Sequence, residues 1–297
     1  MLLVLLTLTS VAVLIRIVAN PLSNVFQKQL TQRSAEPLFV IAATYGFLSI
    51  VALFFWREIA FSSLSGAFWA NALIVSLLAV LGNVFLVKAL RTGDLSVLGP
   101  INAYKSVVSI VFGIVLLNEI PSPSGLLGVG LIVLGSYLVL GANQRGRHFS
   151  LDLFRQPEIR LRLAALVCSA IEAVFIKKAM LLSSPLITFV FWCLLGFGFS
   201  LGWVLLSLRS QWKEQVRLLA TEKRLYLALF LSVGLMQFST NVAFGGMQVG
   251  YALALFQTSA LLSVLFGYQF FNEGHIARKL IGASIMIAGA VLITLWR

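Results

Sequence analysis

Charge is scarce in this chain, and the side chains that bind metals or carry out hydrolysis are scarcer. Of 297 residues only 11% are charged, 10 of them acidic, and there are 2 histidines and 2 cysteines. His148 and His275 both fall between apolar runs, so a membrane metallo-hydrolase has almost no ligands to draw on. Cys168 and Cys193 lie inside apolar runs with neither a CxxC spacing nor a disulfide framework. No GxxxxGK[ST] loop is present, so nothing cradles ATP phosphates. The chain is therefore expected to hold no metal and no cofactor, and not to be an enzyme.

Because acids are so few, the net charge is +12. In a soluble protein that balance would suggest nucleic acid. Here the basic residues collect in short loops between apolar runs, where anionic headgroups lie, and no basic, aromatic surface module appears. The expected partners are the lipid bilayer and a small-molecule substrate, not nucleic acid, with the protein a monomer or homodimer.

What the chain has is apolar length. Residues are 60% hydrophobic and mean hydropathy is +0.98, more apolar surface than a soluble fold of this size can hide. Ten segments are long enough to span: 7–28, 37–56, 67–90, 95–118, 124–141, 160–180, 185–206, 224–247, 251–272 and 277–296. The first lacks a basic n-region and an A-x-A cleavage site, so it reads as a span and not a secretion signal. The loop 207–223 reads equally as an amphipathic surface helix or as a solvated loop. Trp192, inside the seventh segment, is expected in core packing.

The two halves repeat each other. "NVFQKQLTQRSAEPLF" (24–39) aligns with "AVFIKKAMLLSSPLI" (173–187), sharing Val-Phe-x-Lys and a proline that opens the next span. "FGIVLLNE" (112–119) matches "FGYQFFNE" (266–273), so Asn-Glu closes the fourth and ninth spans. Five spans per copy is an odd number, which forces the copies to enter the membrane in opposite senses. The expected fold is an all-α membrane protein of ten transmembrane helices in two five-helix inverted repeats. The first copy is 1–142, a basic linker loop 143–159, and the second copy 160–297.

The stretch "ALRTGDLSVLGPINAYKSVVSIVFGIVLLNEIPSPSGLLGVGLIVLGSYLVL" (89–140) resembles the second half of an EamA repeat of the drug/metabolite transporter superfamily, and 246–295 resembles its second copy. The likeness rests on the Ala-Leu…Gly turn, the small-residue fourth helix with its terminal glutamate, and the glycine-spaced fifth helix. It implies a ten-helix inner-membrane carrier of small metabolites, commonly an exporter, and names no substrate.

On a helix, residues at i, i+3, i+4, i+7 and i+11 share a face. In the fourth span these are Asn102, Lys105, Ser106, Ser109 and Gly113; in the first, Thr9, Arg16, Asn20, Ser23, Asn24 and Gln27. The sixth places Cys168, Ser169 and Glu172 together; the eighth adds Gln237, Thr240, Asn241 and Gln248; the ninth gives Ser259, Ser263 and Gly267. Serine and glycine stripes also pack helices closely, so the serines carry both readings. Lys28, Lys88, Lys177 and Lys178, near span ends, are expected to snorkel to headgroups, and Glu119 and Glu273 to be structural. Pro21 and Pro100 are expected to interrupt their helices.

Arg16, Lys105 and Glu172 stand apart because they are central. Lys105 sits roughly 15 Å from either end of its span, where a charge costs about 2.5–3.5 kcal/mol on insertion scales. Ionisable groups at that depth mark function by default, with a buried structural ion pair as the alternative. The expected substrate-binding residues are Arg16, Asn20, Asn24, Asn102, Tyr104, Lys105, Ser169, Glu172, Gln237 and Asn241. Glu172 is also the expected coupling-ion carrier, and Phe175 joins Tyr104 as a wall. Two cations and one acid suit a metabolite carrying a carboxylate and an amine, such as an amino acid. The reading is gradient-driven transport by alternating access in the inner membrane. A non-transporting scaffold or receptor, or an integral-membrane enzyme, are the other classes open.

Overall fold

In the computed structural model, residues 2–59, 61–105, 107–108, 122–140 and 155–295 are described, and they form helices and short connections with no strand among them. The helices are α1 (Leu2–Gln32), α2 (Pro37–Leu53), α3 (Gly66–Thr92), α4 (Leu95–Leu98), α5 (Pro123–Leu140), α6 (Pro157–Leu181), α7 (Pro185–Ser207), α8 (Trp212–Thr221), α9 (Lys223–Gly246), α10 (Val249–Phe256), α11 (Ser259–Phe271) and α12 (Ile276–Leu295). Their starts follow local chemistry. Ser65 and Ser184 accept from the Phe68 and Ile187 amides, capping α3 and α7. Pro37, Pro157 and Pro185 occupy first-turn positions, where no amide partner is needed.

Seven stretches among the described residues are long and apolar enough to cross a membrane: Leu8–Gln32, Gly66–Thr92, Pro123–Leu140, Pro185–Ser207, Lys223–Gly246, Val249–Phe271 and Ile276–Thr294. This is an all-helical membrane protein. α2, with 17 residues, is shorter than the expected span because the chain tightens into a 3-10 turn at Trp56–Glu58. Most of the fourth expected span, with Ser106, Ser109, Gly113 and Glu119, lies outside the described residues.

The helices described in the first half each pack chiefly against one from the second half: α1 on α9, α2 on α7, α3 on α6, α4 on α11, and α5 on α12. The sequence repeat maps α1 onto α6 and α3 onto α9, so the α1–α9 and α3–α6 contacts are copies of each other. α5 and α12 approach closely. A methyl on Gly135 would lie 2.5 Å from the Gly282 carbonyl oxygen, and one on Gly128 would lie 2.7 Å from that of Gly289. Glycine at these two levels lets the backbones touch.

Several expectations need correction. α1 runs through Pro21 without a break, because proline removes only the bond to the Ile17 carbonyl and packed membrane helices tolerate that loss. Pro100 does break its helix: α4 stops at Leu98 and Pro100–Ala103 forms a 3-10 turn, with the Asn102 amide donating to Gly99 O at 3.1 Å. The ninth span, expected to be continuous over 251–272, is also two pieces, α10 and α11, separated at Gln257–Thr258 with no proline involved. The loop 207–223 contains a helix, α8. Its Gln215 is buried, accepting from the Glu36 amide at 2.9 Å and donating to Ser34 O at 3.3 Å.

Lys28 does not snorkel. It is 5% exposed and its ammonium donates to Glu273 Oε1 at 2.7 Å and to Gly93 O at 2.9 Å. The same carboxylate accepts from the Leu95 amide at 2.8 Å and the Ser96 amide at 2.7 Å, and from the Ser96 hydroxyl. Asn272, left-handed at φ 51°, ends α11 and turns the chain so that Glu273 reaches this cluster. Lys279, fully buried, donates to Ser96 Oγ at 2.8 Å beside Asp94 at 3.4 Å. Lys177, the repeat counterpart of Lys28, likewise donates inward, to Phe244 O in the last turn of α9. Lys178 lies over the Phe175 ring, 5.3 Å from its centre, and Lys88 is exposed.

Candidate substrate cavity

Where α1, α3, α6, α9, α10 and the turn after α4 meet, they enclose a cavity of about 120 Å³. Its wall includes Arg16, Asn20 and Asn24 from α1, Asn102 and Lys105 beyond the Pro100 turn, Ser169 and Glu172 from α6, and Gln237 and Thr240 from α9. Eight of the ten expected site residues thus border one space. They do so because the polar stripes are the inward faces of helices whose other faces are apolar: Leu8, Val11, Leu14 and Val18 of α1 are exposed outward.

Of the expected site residues, Tyr104 and Asn241 do not line this cavity. Tyr104 turns toward α5, its hydroxyl donating to Ser136 Oγ at 2.8 Å. Asn241 is fully buried between helices, donating to Pro185 O at 3.1 Å and accepting from Gln237 Nε2 at 3.1 Å, so it orients Gln237. Phe175 is absent from the wall as well; Phe244 and Phe256 supply its aromatic surface.

Arg16 donates through Nε to Thr240 Oγ1 at 2.9 Å, and its guanidinium carbon sits 4.8 Å from the centre of the Phe256 ring. Its Nη1 is buried without a hydrogen-bond partner. Glu172 accepts from Trp192 Nε1 at 3.3 Å. Trp192 is 2% exposed and packs against Tyr45 with rings tilted at 52°, 4.6 Å between their centres, so this tryptophan is in the core and holds Glu172 at once. Lys105 and Glu172 face the same space, yet no ion pair within hydrogen-bonding reach joins them among the described residues.

Arg162 is a cation of this cavity that is not among the expected site residues. It is 8% exposed, donating from Nε to Leu98 O at 2.8 Å and from Nη2 to Asn102 Oδ1 at 3.1 Å. The helix break at Pro100 frees the Leu98 carbonyl, and Arg162 takes it up. Asn102 in turn donates to Gln257 Oε1 at 3.3 Å, tying the break after α4 to the break between α10 and α11. The signal was available: Arg162, Ser169 and Glu172 lie at i, i+7 and i+10 on one face of α6. Ser259 and Ser263 serve packing, buried at 4% and 1%, and a methyl at Gly99 would lie 2.4 Å from Ser263 Cβ. No cluster suited to a metal ion occurs among the described residues.

The EamA-like transporter family model matches the chain twice, over 7–141 and 157–295. A protein of known crystal structure is similar at 17% identity over 97% of each chain, with a TM-score of 0.63, a likeness that speaks to the fold alone. No curated protein matches the chain. With both halves matched and the apolar helices in place, the chain belongs to the EamA-like transporter family.

Proposed function

We propose that the protein is a secondary active transporter, an exporter of small polar metabolites such as amino acids across the inner membrane by alternating access. The observation that carries this reading is a cavity lined by Arg16, Lys105 and Glu172, set between the halves where two helices are broken. Discontinuous helices free backbone groups for a ligand at the meeting point of repeats, and rocking of one half on the other exposes the site to either side. In this proposal ten helices form two inverted repeats, 1–142 and 160–297, joined by the basic segment 143–159. Arg16 takes a carboxylate, and Glu172 takes an ammonium or a coupling proton. Lys105 is held by Glu172 in one state of the cycle.

Purified protein in liposomes, loaded with a labelled amino-acid mixture under an imposed proton gradient, tests the proposal. Gradient-dependent flux is expected. Protein that keeps its melting transition and moves none of the mixture refutes it. Within that assay, Lys105→Met and Glu172→Gln should each abolish flux. A melting-temperature cycle with the double variant should show coupling above about 0.5 kcal/mol if the two charges meet. Strictly additive losses would mean that they never do.

A further inference from the structure

The cavity holds more positive charge than the proposed transport reading uses. Arg162 adds a third cation to Arg16 and Lys105, against the single carboxylate of Glu172, a surplus of two positive charges. Each cation has donors to spare. Arg162 spends Nε and Nη2 on Leu98 O and Asn102, leaving Nη1. Arg16 spends Nε on Thr240 and keeps a buried, unpartnered Nη1. Lys105 makes no hydrogen bond among the described residues, although it lines the space. Buried cations without counter-charge are costly, and a ligand that supplies the counter-charge gains what the empty site lacks.

Resting on the transport reading above, we infer that the substrate is a small molecule with two anionic groups and one ammonium, the class of the dicarboxylic amino acids. One carboxylate meets Arg16 and the second meets the Arg162 and Lys105 side of the cavity. The ammonium meets Glu172, the one acceptor of matching charge, which Trp192 holds in place. A neutral amino acid of the same shape leaves guanidinium donors unmatched. Sites built around a polar group discriminate strongly against analogues that lack it.

The test compares L-glutamate, L-glutamine and succinate, by calorimetric titration of purified protein and by flux into proteoliposomes. Glutamate should bind at least tenfold more tightly than glutamine, and more tightly than succinate, which offers nothing to Glu172. In Arg162→Gln the glutamate-to-glutamine ratio should fall at least tenfold, and Lys105→Gln, which disturbs no hydrogen bond of the helix break, should move the same ratio in the same direction. Neutral amino acids carried with no preference for glutamate would overturn the charge inference while leaving transport standing. A ratio unchanged in both variants would overturn it too. Absence of binding and flux for every probe, in protein with its normal melting transition, would remove the transport reading with it.

Discussion

Glu273→Gln takes one charge from a buried side chain that accepts four hydrogen bonds. The carboxylate accepts from Lys28 Nζ at 2.7 Å, from the amides of Leu95 and Ser96 at 2.8 and 2.7 Å, and from the Ser96 hydroxyl. Glutamine keeps the shape but has one acceptor oxygen, and its amide nitrogen then faces donors. Lys28, 6% exposed at its side chain, would be left without a counter-charge. Removing one member of a buried pair costs about 3–5 kcal/mol. At roughly 2–4 °C per kcal/mol for a chain of this size, the melting temperature should fall by about 6–20 °C. Lys28→Met with Glu273→Gln should recover much of that loss, since no buried cation remains. pH supplies a second signature. Burial raises the Glu273 carboxyl, but the hydrogen bond and charge of Lys28 and the Ser96 bonds outweigh it, holding the group below the ordinary glutamate value. The folded state thus binds the proton less readily than the unfolded chain. The stabilisation is complete above the unfolded glutamate value of about 4.3 and is lost as pH falls through the lower folded value. Melting in detergent by intrinsic fluorescence, scanned from pH 7 to 3, reads both effects. A loss below about 1 kcal/mol, or an acid limb unchanged in Glu273→Gln, would refute the assignment of this cluster as the clamp between α1, α4 and α11.

Gly135→Ala should cost about 1–3 kcal/mol by forcing α5 from α12, because the methyl falls 2.5 Å from the Gly282 carbonyl oxygen; an unchanged melting temperature would contradict that contact. Arg16→Lys should preserve the fold and weaken glutamate binding about tenfold, since lysine lacks both the Nε contact to Thr240 and a planar pair of donors. Equal affinity in calorimetry would make Arg16 structural. Arg33, Arg91, Arg145, Arg147, Arg155, Arg160, Arg162, Arg209, Lys213, Arg217, Lys223, Arg224, Arg278 and Lys279 follow odd-numbered spans, against Arg57, Lys177, Lys178 and Arg297 after even ones. By the positive-inside rule a reporter fused after Arg297 should report from outside the cytoplasm, and activity of a cytoplasm-only reporter there would reverse the orientation.

How much was legible in the sequence depends on the distance over which the physics acts. Apolar length and helical periodicity are local, so the long helices and the inward faces of α1, α6 and α9 could be read directly, and with them most of the cavity wall. Long-range pairing could not. Lys28 looked like a span-end lysine because its partner is 245 residues away. Asn241 shared a polar face with wall residues and Tyr104 is next to one in sequence, but which neighbour a side chain meets is set by packing, and Pro185 and Ser136 claimed them. The break at Pro100 announced itself through a missing amide. Its counterpart at Gln257–Thr258 carries no proline or glycine, and only the hydrogen bond from Asn102 shows what stabilises it. Arg162 was readable by spacing on the sixth span but was not set among the expected site residues.

The glycine contact between α5 and α12 bears on how the protein is made. Gly128 and Gly135 meet Gly289 and Gly282, so this backbone-to-backbone seam joins the last helix described in the first half to the last helix described. At synthesis rates of about 5–20 residues per second, α5 waits roughly 10–30 s for its partner. During that interval its glycine face has only lipid or a passing helix to cover it. The first half therefore cannot reach its final packing alone, and quality control that samples unpaired glycine faces would see every nascent copy of this protein before release.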